Sequence, residues 1–264
     1  MPKNWTINFK NDPLKVHAIN FVIILLFFLY FYRSTLFTLI EKYATSGTYA
    51  HGFLILPIVL WLIFQRRHYF KISIPNYEPL GFIGILVLSL LWYVAGAAFV
   101  DIIQQLCLCL MLIVLFISFF GLKISLKFLF PLAYLLFAIP FGNFLTPFLQ
   151  HITTHVSAHI LHVFGIPVYF EGLTISTSQG EFEVAEACSG IRYIIATVTL
   201  GVLYAYYTYQ NIWKRIIFSV ICLVFPIIAN CIRVFFIILI AHGSGMKYAL
   251  GVDHLIYGWI FFGI

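Results

Sequence analysis

INFVIILLFFLYFYRSTLFTLI, residues Ile19 to Ile40, is broken by a single charge, Arg33. A helix crossing the hydrocarbon core of a bilayer needs about 20 consecutive apolar residues. This run meets that length. It is too long for the apolar core of a signal peptide and has no small-residue cleavage site after it, so it reads as a retained span. The rest of the chain repeats the pattern. Of 264 residues, 62% are apolar and 9% charged, and the mean hydropathy is +1.02. A water-soluble domain carries about a quarter charged residues. The fold class is therefore all-α, a multi-pass transmembrane helical bundle. About eight spans are expected, near 19–40, 52–64, 80–99, 102–120, 128–141, 189–209, 215–240 and 255 to the end.

Charge placement argues against a nucleic-acid binder despite the net charge of +6. With loops alternating between sides, one side collects Lys3, Lys10, Lys15, Arg66, Arg67, Lys71, Lys123, Lys127, Lys214 and Arg215, while the other holds only Lys42 and Lys247. The positive-inside rule makes the first side cytoplasmic and places the N-terminus there. Glu41, Asp101, Glu171, Glu181, Glu183, Glu186 and Asp253 all fall on the outer side. The five cysteines are odd in number and lie mostly inside apolar runs, which excludes a disulfide framework. The domain expectation is a single membrane domain over residues 1–264 that stops inside its last span, because Leu255 to Ile264 is about half of what a bilayer requires.

The one long non-spanning segment, about 142 to 188, is expected outside the cytoplasm. Residues 147–164 read as an amphipathic helix. Leu173-Thr-Ile-Ser-Thr and Glu181-Phe-Glu-Val around Ser178-Gln179-Gly180 read as a small β-hairpin. The hairpin delivers the chain into Glu186-Ala-Cys-Ser-Gly-Ile-Arg192.

Here the polar residues gather. Cys188 stands between Glu186 and Ser189-Gly190 at the start of a span, where the helix dipole and a nearby cation favour a thiolate. Gly190 would let a substrate backbone approach. Arg192 follows four residues later, on the same face of a continuous helix. Arg233 lies nine residues before His242, about 13 Å below the outer end of its helix at 1.5 Å per residue, with Asn230 one turn earlier. A guanidinium at that depth needs a partner or a wet cavity. The competing reading makes Cys188 a small apolar filler like Cys107, Cys109, Cys222 and Cys231, and has Arg233 snorkel.

The combination of Ala187-Cys-Ser-Gly-Ile-Arg192, Asn230-x-x-Arg233 and His254 with Gly258-Trp259 resembles the exosortase/archaeosortase family, and the earlier Tyr49-Ala-His-Gly52 extends the likeness. The resemblance implies a membrane cysteine peptidase or transpeptidase of exported client proteins with a C-terminal, PEP-CTERM-like sorting signal. It implies Cys188, Arg233 and His254 as the catalytic set, with Arg192, Asn230, Glu186, Ser189 and Gly190 in support. No metal or cofactor is required. Its setting would be a bacterial inner membrane, with the site facing outward and a link to exopolysaccharide or surface assembly.

Two other classes compete. His151, His155, His159 and His162 share one helical stripe, and imidazoles at i, i+4 are able to ligate a transition metal. That pattern supports a metal-binding membrane transporter or metallopeptidase, although no Glu follows the first His as a zinc peptidase needs. A catalytically silent scaffold, with Arg233 lining a polar path, is the third.

Overall fold

A computed structural model describes residues 13–72 and 76–243. The chain divides into two compact units, Met1–Phe141 and Gly142–Ile264, each treated by itself.

In the first unit the opening apolar run is not one helix. α1 (Pro13–Phe31) and α2 (Arg33–Thr45) are separated at Tyr32, whose backbone (φ −93°, ψ 20°) leaves the helical region. The hydroxyl of Tyr32 lies 2.7 Å from that of Ser89. Arg33 turns back to donate to the Tyr30 carbonyl at 3.2 Å, with its guanidinium 4.7 Å from the Tyr30 ring centroid. The one charge in the run thus sits at its break. α3 (Gly52–Gln65), the short α4 (Tyr69–Ile72), α5 (Pro79–Ala97), α6 (Asp101–Ser125) and α7 (Leu129–Tyr134) follow. The centre is α6: Cys107, Leu108, Met111, Leu115, Phe116 and Phe119 are all buried, packed with Phe28, Phe128 and Leu132.

Five helical stretches among the described residues are long and apolar enough to cross a membrane: Leu14–Phe31, Pro79–Ala97, Asp101–Ala138, Glu186–Thr208 and Ile212–Gly243. The expected count of eight is therefore not reached among the described residues. The 38-residue stretch Asp101–Ala138 covers two expected spans and is broken at Gly121 (φ 78°, ψ 160°). α3, expected as a span, is apolar but only 14 residues long. The expected last span lies outside the described residues. The outward surface demands lipid: Leu86 is 72% exposed and Phe27 68%, which no soluble protein sustains over whole helices.

Loops assigned to one side of the membrane do meet. Lys42 pairs with Asp101 at 3.4 Å, and Arg66 donates to the Lys127 carbonyl at 2.6 Å. The early motif has a structural job in this unit. Its Gly52 admits the Tyr43 ring where a Cβ would collide with it, and Tyr43 donates to the Ala138 carbonyl. His51 Nε2 reaches the neighbouring Phe137 carbonyl at 3.3 Å. Two side chains thereby satisfy carbonyls freed where the helical stretch ends before Pro140. Burial lowers the His51 pKa from its ordinary value, partly opposed by bonds to backbone carbonyls.

In the second unit, α8 (Thr146–Val163) starts with Pro147 in its first turn, where the missing N–H costs nothing. The expected hairpin is a three-stranded antiparallel sheet, β1 (Val168–Glu171), β2 (Thr174–Thr177) and β3 (Gly180–Glu183). Thr177 pairs with Gly180 around the anticipated Ser178–Gln179 turn. The additional strand comes from a second tight turn, in which Glu171 pairs with Thr174 and Gly172 takes φ +59°. α9 (Ile191–Thr208) and α10 (Ile212–Gly243) complete the unit.

Candidate active site

The site is built from α8 upward. Its inward face carries Gln150, Thr153, Thr154 and Ser157, all buried, at the i, i+3, i+4, i+7 spacing of one helical stripe. Thr154 Oγ1 donates within the helix to the Gln150 carbonyl at 2.9 Å, and the other three bond to other elements. Gln150 Nε2 donates to the Val184 carbonyl at 2.7 Å, pinning the chain as it leaves β3. Ser157 Oγ donates to the Cys231 carbonyl of α10 at 3.0 Å. Thr153 Oγ1 accepts from Asn230 Nδ2 at 3.1 Å, and the same nitrogen donates to the Cys188 carbonyl at 2.7 Å.

Cys188 ends a single 3-10 turn, Glu186–Cys188, closed by Cys188 N–H to Ala185 O at 2.8 Å and Ser189 N–H to Glu186 O at 3.0 Å. Gly190 then takes the left-handed conformation (φ +82°) and α9 begins at Ile191. Any L side chain at Gly190 is disfavoured by its backbone alone. Its Cβ would also stand 2.8 Å from Asn230 Cγ. The room that the sequence reserves for a substrate backbone is filled by Asn230, so the glycine serves the packing of α10 against the cysteine turn.

This break corrects the expectation for Arg192. With a 3-10 turn and a left-handed residue between them, Cys188 and Arg192 no longer share a helical face. Cys188 is 8% exposed, whereas Arg192 and Glu186 are exposed. Nor does the thiol-bearing residue begin α9, which starts three positions later. The structure brings together Cys188, Ser189, Gly190, Asn230 and Arg233, and leaves Arg192 and Glu186 at the surface. His254 lies outside the described residues.

Cys188 packs in an apolar cluster with Leu161 of α8, Ile175 of β2, Val184, and Val234 and Ile238 of α10. Arg233 projects from the same stretch of α10, 5% exposed. Its guanidinium lies 5.8 Å from the Tyr193 ring centroid and within electrostatic reach of the Cys188 thiol. A thiol on the 3-10 turn and a guanidinium on α10 are thus both buried within electrostatic reach of each other. Charge interactions are stronger there than in water.

The four histidines of α8 occupy its other side. His151, His155, His159 and His162 are all exposed, and the His155 ring meets Phe170 edge-on at 4.7 Å. Among the described residues no three His, Cys, Asp or Glu side chains gather to hold a metal ion. The stripe is helical spacing along an outer surface, and no observation favours the transporter or metallopeptidase reading. Sequence reasoning missed the inward stripe of Gln150, Thr153 and Ser157, and Tyr193 beneath Arg233. The periodicity of small polar residues opposite the histidines was the available signal.

A family model described as transmembrane exosortase matches residues 43–264. No curated protein and no solved structure matches the chain.

Proposed function

Since the chain belongs to the transmembrane exosortase family, we propose that it is a membrane-embedded cysteine peptidase or transpeptidase that removes the C-terminal, PEP-CTERM-like sorting signal of exported proteins through a thioacyl-enzyme. The observation that carries this reading is the placement of Cys188: buried, held by its own carbonyl, and within the field of Arg233. The other four cysteines are buried as well, but Cys188 alone occupies the turn that the Asn230 amide holds.

The chemistry follows from the groups. His254 takes the Cys188 thiol proton, and the resulting thiolate attacks the scissile carbonyl, forming a C–S bond. Arg233 stabilises first the thiolate and then the negative charge on the carbonyl oxygen. The C–N bond breaks as His254 protonates the leaving amine. His254 then accepts a proton from the second nucleophile, which attacks the thioester and releases the thiol. Water as that nucleophile gives proteolysis, and an amine gives transpeptidation. Asn230, Ser189 and Gly190 shape the turn that carries the sulfur; Arg192 and Glu186, at the surface, are available to the client segment rather than to the thiol. The basic loops support a cytoplasmic N-terminus and an outward-facing site, and the family resemblance suggests a bacterial inner membrane as the setting.

The thiol reading is tested in membranes that process a client. A membrane-permeant alkylating reagent is expected to stop processing, with the label recovered on Cys188, while a strong metal chelator leaves the rate within about 2-fold. Processing that survives complete labelling of Cys188, or stops with the chelator, overturns it.

A further inference from the structure

Asn230 is more tightly committed than a filler between helices needs to be. It is fully buried, and its two amide hydrogens go to acceptors on two different elements, the Cys188 carbonyl at 2.7 Å and Thr153 Oγ1 at 3.1 Å. The orientation of the amide is set by chemistry, because a carbonyl oxygen only accepts and so must face the NH2 side. That leaves Oδ1 buried with no hydrogen-bond partner among the described residues, an arrangement that lowers stability. A residue retained at a cost to the fold marks a place where geometry is being held for another purpose.

The held geometry is that of the cysteine turn. Gln150 grips the Val184 carbonyl at one end of the segment and Asn230 grips the Cys188 carbonyl at the other. Thr153 orients Asn230, and Gly190 leaves the space that Asn230 Cγ occupies. Ser157 ties α8 to α10 at Cys231, next in sequence to Asn230. Arg233 stands one turn further along the same helix, so α10 carries both the clamp on the cysteine backbone and the cation beside its thiol. A fixed separation between sulfur and guanidinium is what a nucleophile and its oxyanion partner require, since small misplacements cost large factors in rate.

We infer that Asn230 is a positioning residue: its amide hydrogens lock the backbone of Cys188 to α10 and so set the sulfur in register with Arg233. The inference rests on the cysteine-enzyme reading above, and it assigns Asn230 no contact with the client. It separates the donor function from shape. Asp at this position keeps the size and branching of the side chain but offers no N–H to the Cys188 carbonyl. A shape role tolerates Asp better than Ala; a donor role does not.

The experiment uses the full chain in detergent, with a client whose processing by the unaltered chain has first been established, and measures kcat and KM for Asn230→Ala and Asn230→Asp. Both are expected to lower kcat about 100-fold with KM within about 2-fold and with size-exclusion profile and helical circular dichroism retained. Either variant processing at the unaltered kcat, or a loss that falls on KM alone, overturns the inference. If these variants do not accumulate, Thr153→Val leaves Asn230 in place and removes the acceptor that orients its amide. It is expected to lower kcat about 10-fold, and an unaltered kcat there overturns the inference equally. Cys188→Ala run in parallel separates the two levels: if it still processes the client, the enzyme reading fails; if it is inactive while the Asn230 variants are fully active, only the positioning role fails.

Discussion

Cys188→Ala is expected to abolish client processing, lowering kcat about 1,000-fold or more, while the protein accumulates and folds normally. Loss of a covalent nucleophile is among the largest single-residue effects known in catalysis, because the remaining groups have no bond to stabilise. The fold tolerates the change for a separate reason. Cys188 lies among Leu161, Ile175, Val184, Val234 and Ile238, and exchanging a thiol for a hydrogen there removes one small apolar-like atom, a loss of about 1 kcal/mol. The turn itself is held by main-chain bonds and by the Asn230 amide, none of which uses the sulfur. Cys222→Ala, at a cysteine of α10 also buried, provides the matching control for the removal of a membrane thiol. Processing is followed by the mobility shift of the client, and folding by size-exclusion chromatography. A Cys188→Ala enzyme retaining more than about a tenth of the activity contradicts the assignment.

Arg233→Leu is expected to be nearly as damaging to activity, about 1,000-fold, and neutral or favourable to stability. A guanidinium 5% exposed within a long apolar helix carries a desolvation penalty of several kcal/mol. Leu, although shorter, removes that penalty and leaves an apolar side chain among the same neighbours, so the gain in solvation offsets the packing lost at the guanidinium end. If Arg233 served the fold, the same substitution would destabilise it and leave residual activity proportional to folded protein. Arg233→Lys adds a finer test. It retains the charge beside Cys188 but loses the planar fork that lies near the Tyr193 ring, so about a 100-fold loss in kcat is expected if the donor geometry at the oxyanion matters. Thermal melting in detergent together with kcat separates the two roles, and a Leu variant that is active, or inactive only because it is unfolded, would contradict them.

Much of this architecture is legible in the residues, and the misses have physical causes. The apolar runs announce a membrane protein because the bilayer's demand on helix length is severe and nearly independent of context. Breaks within the runs are harder to see: Tyr32 interrupts the first one without glycine or proline. The Ser178–Gln179 turn was legible from its flanking alternation, whereas β1 was hidden behind Pro167 and needed the Glu171-Gly172 step to be read as a second turn. At the site, the residue types were readable and the register was not. The 100° rule put Arg192 on the face of Cys188, but it holds only within a continuous helix, and the left-handed Gly190 ends that continuity. The amphipathic helix at 147–164 is legible in the sequence, and its exposed histidines have the spacing of a metal stripe. The stripe that organises the site is the opposite one, whose Gln, Thr and Ser act through single hydrogen bonds that composition alone does not reveal.

The most direct measurement is the intact mass of the enzyme after rapid acid quenching during client turnover, followed by peptide mapping. The account expects a species heavier by the N-terminal client fragment, with the added mass on Cys188 and released by hydroxylamine as a thioester should be. Turnover with no acyl group on Cys188 under quenching that preserves thioesters, or an acyl group mapped to a different residue, would contradict it.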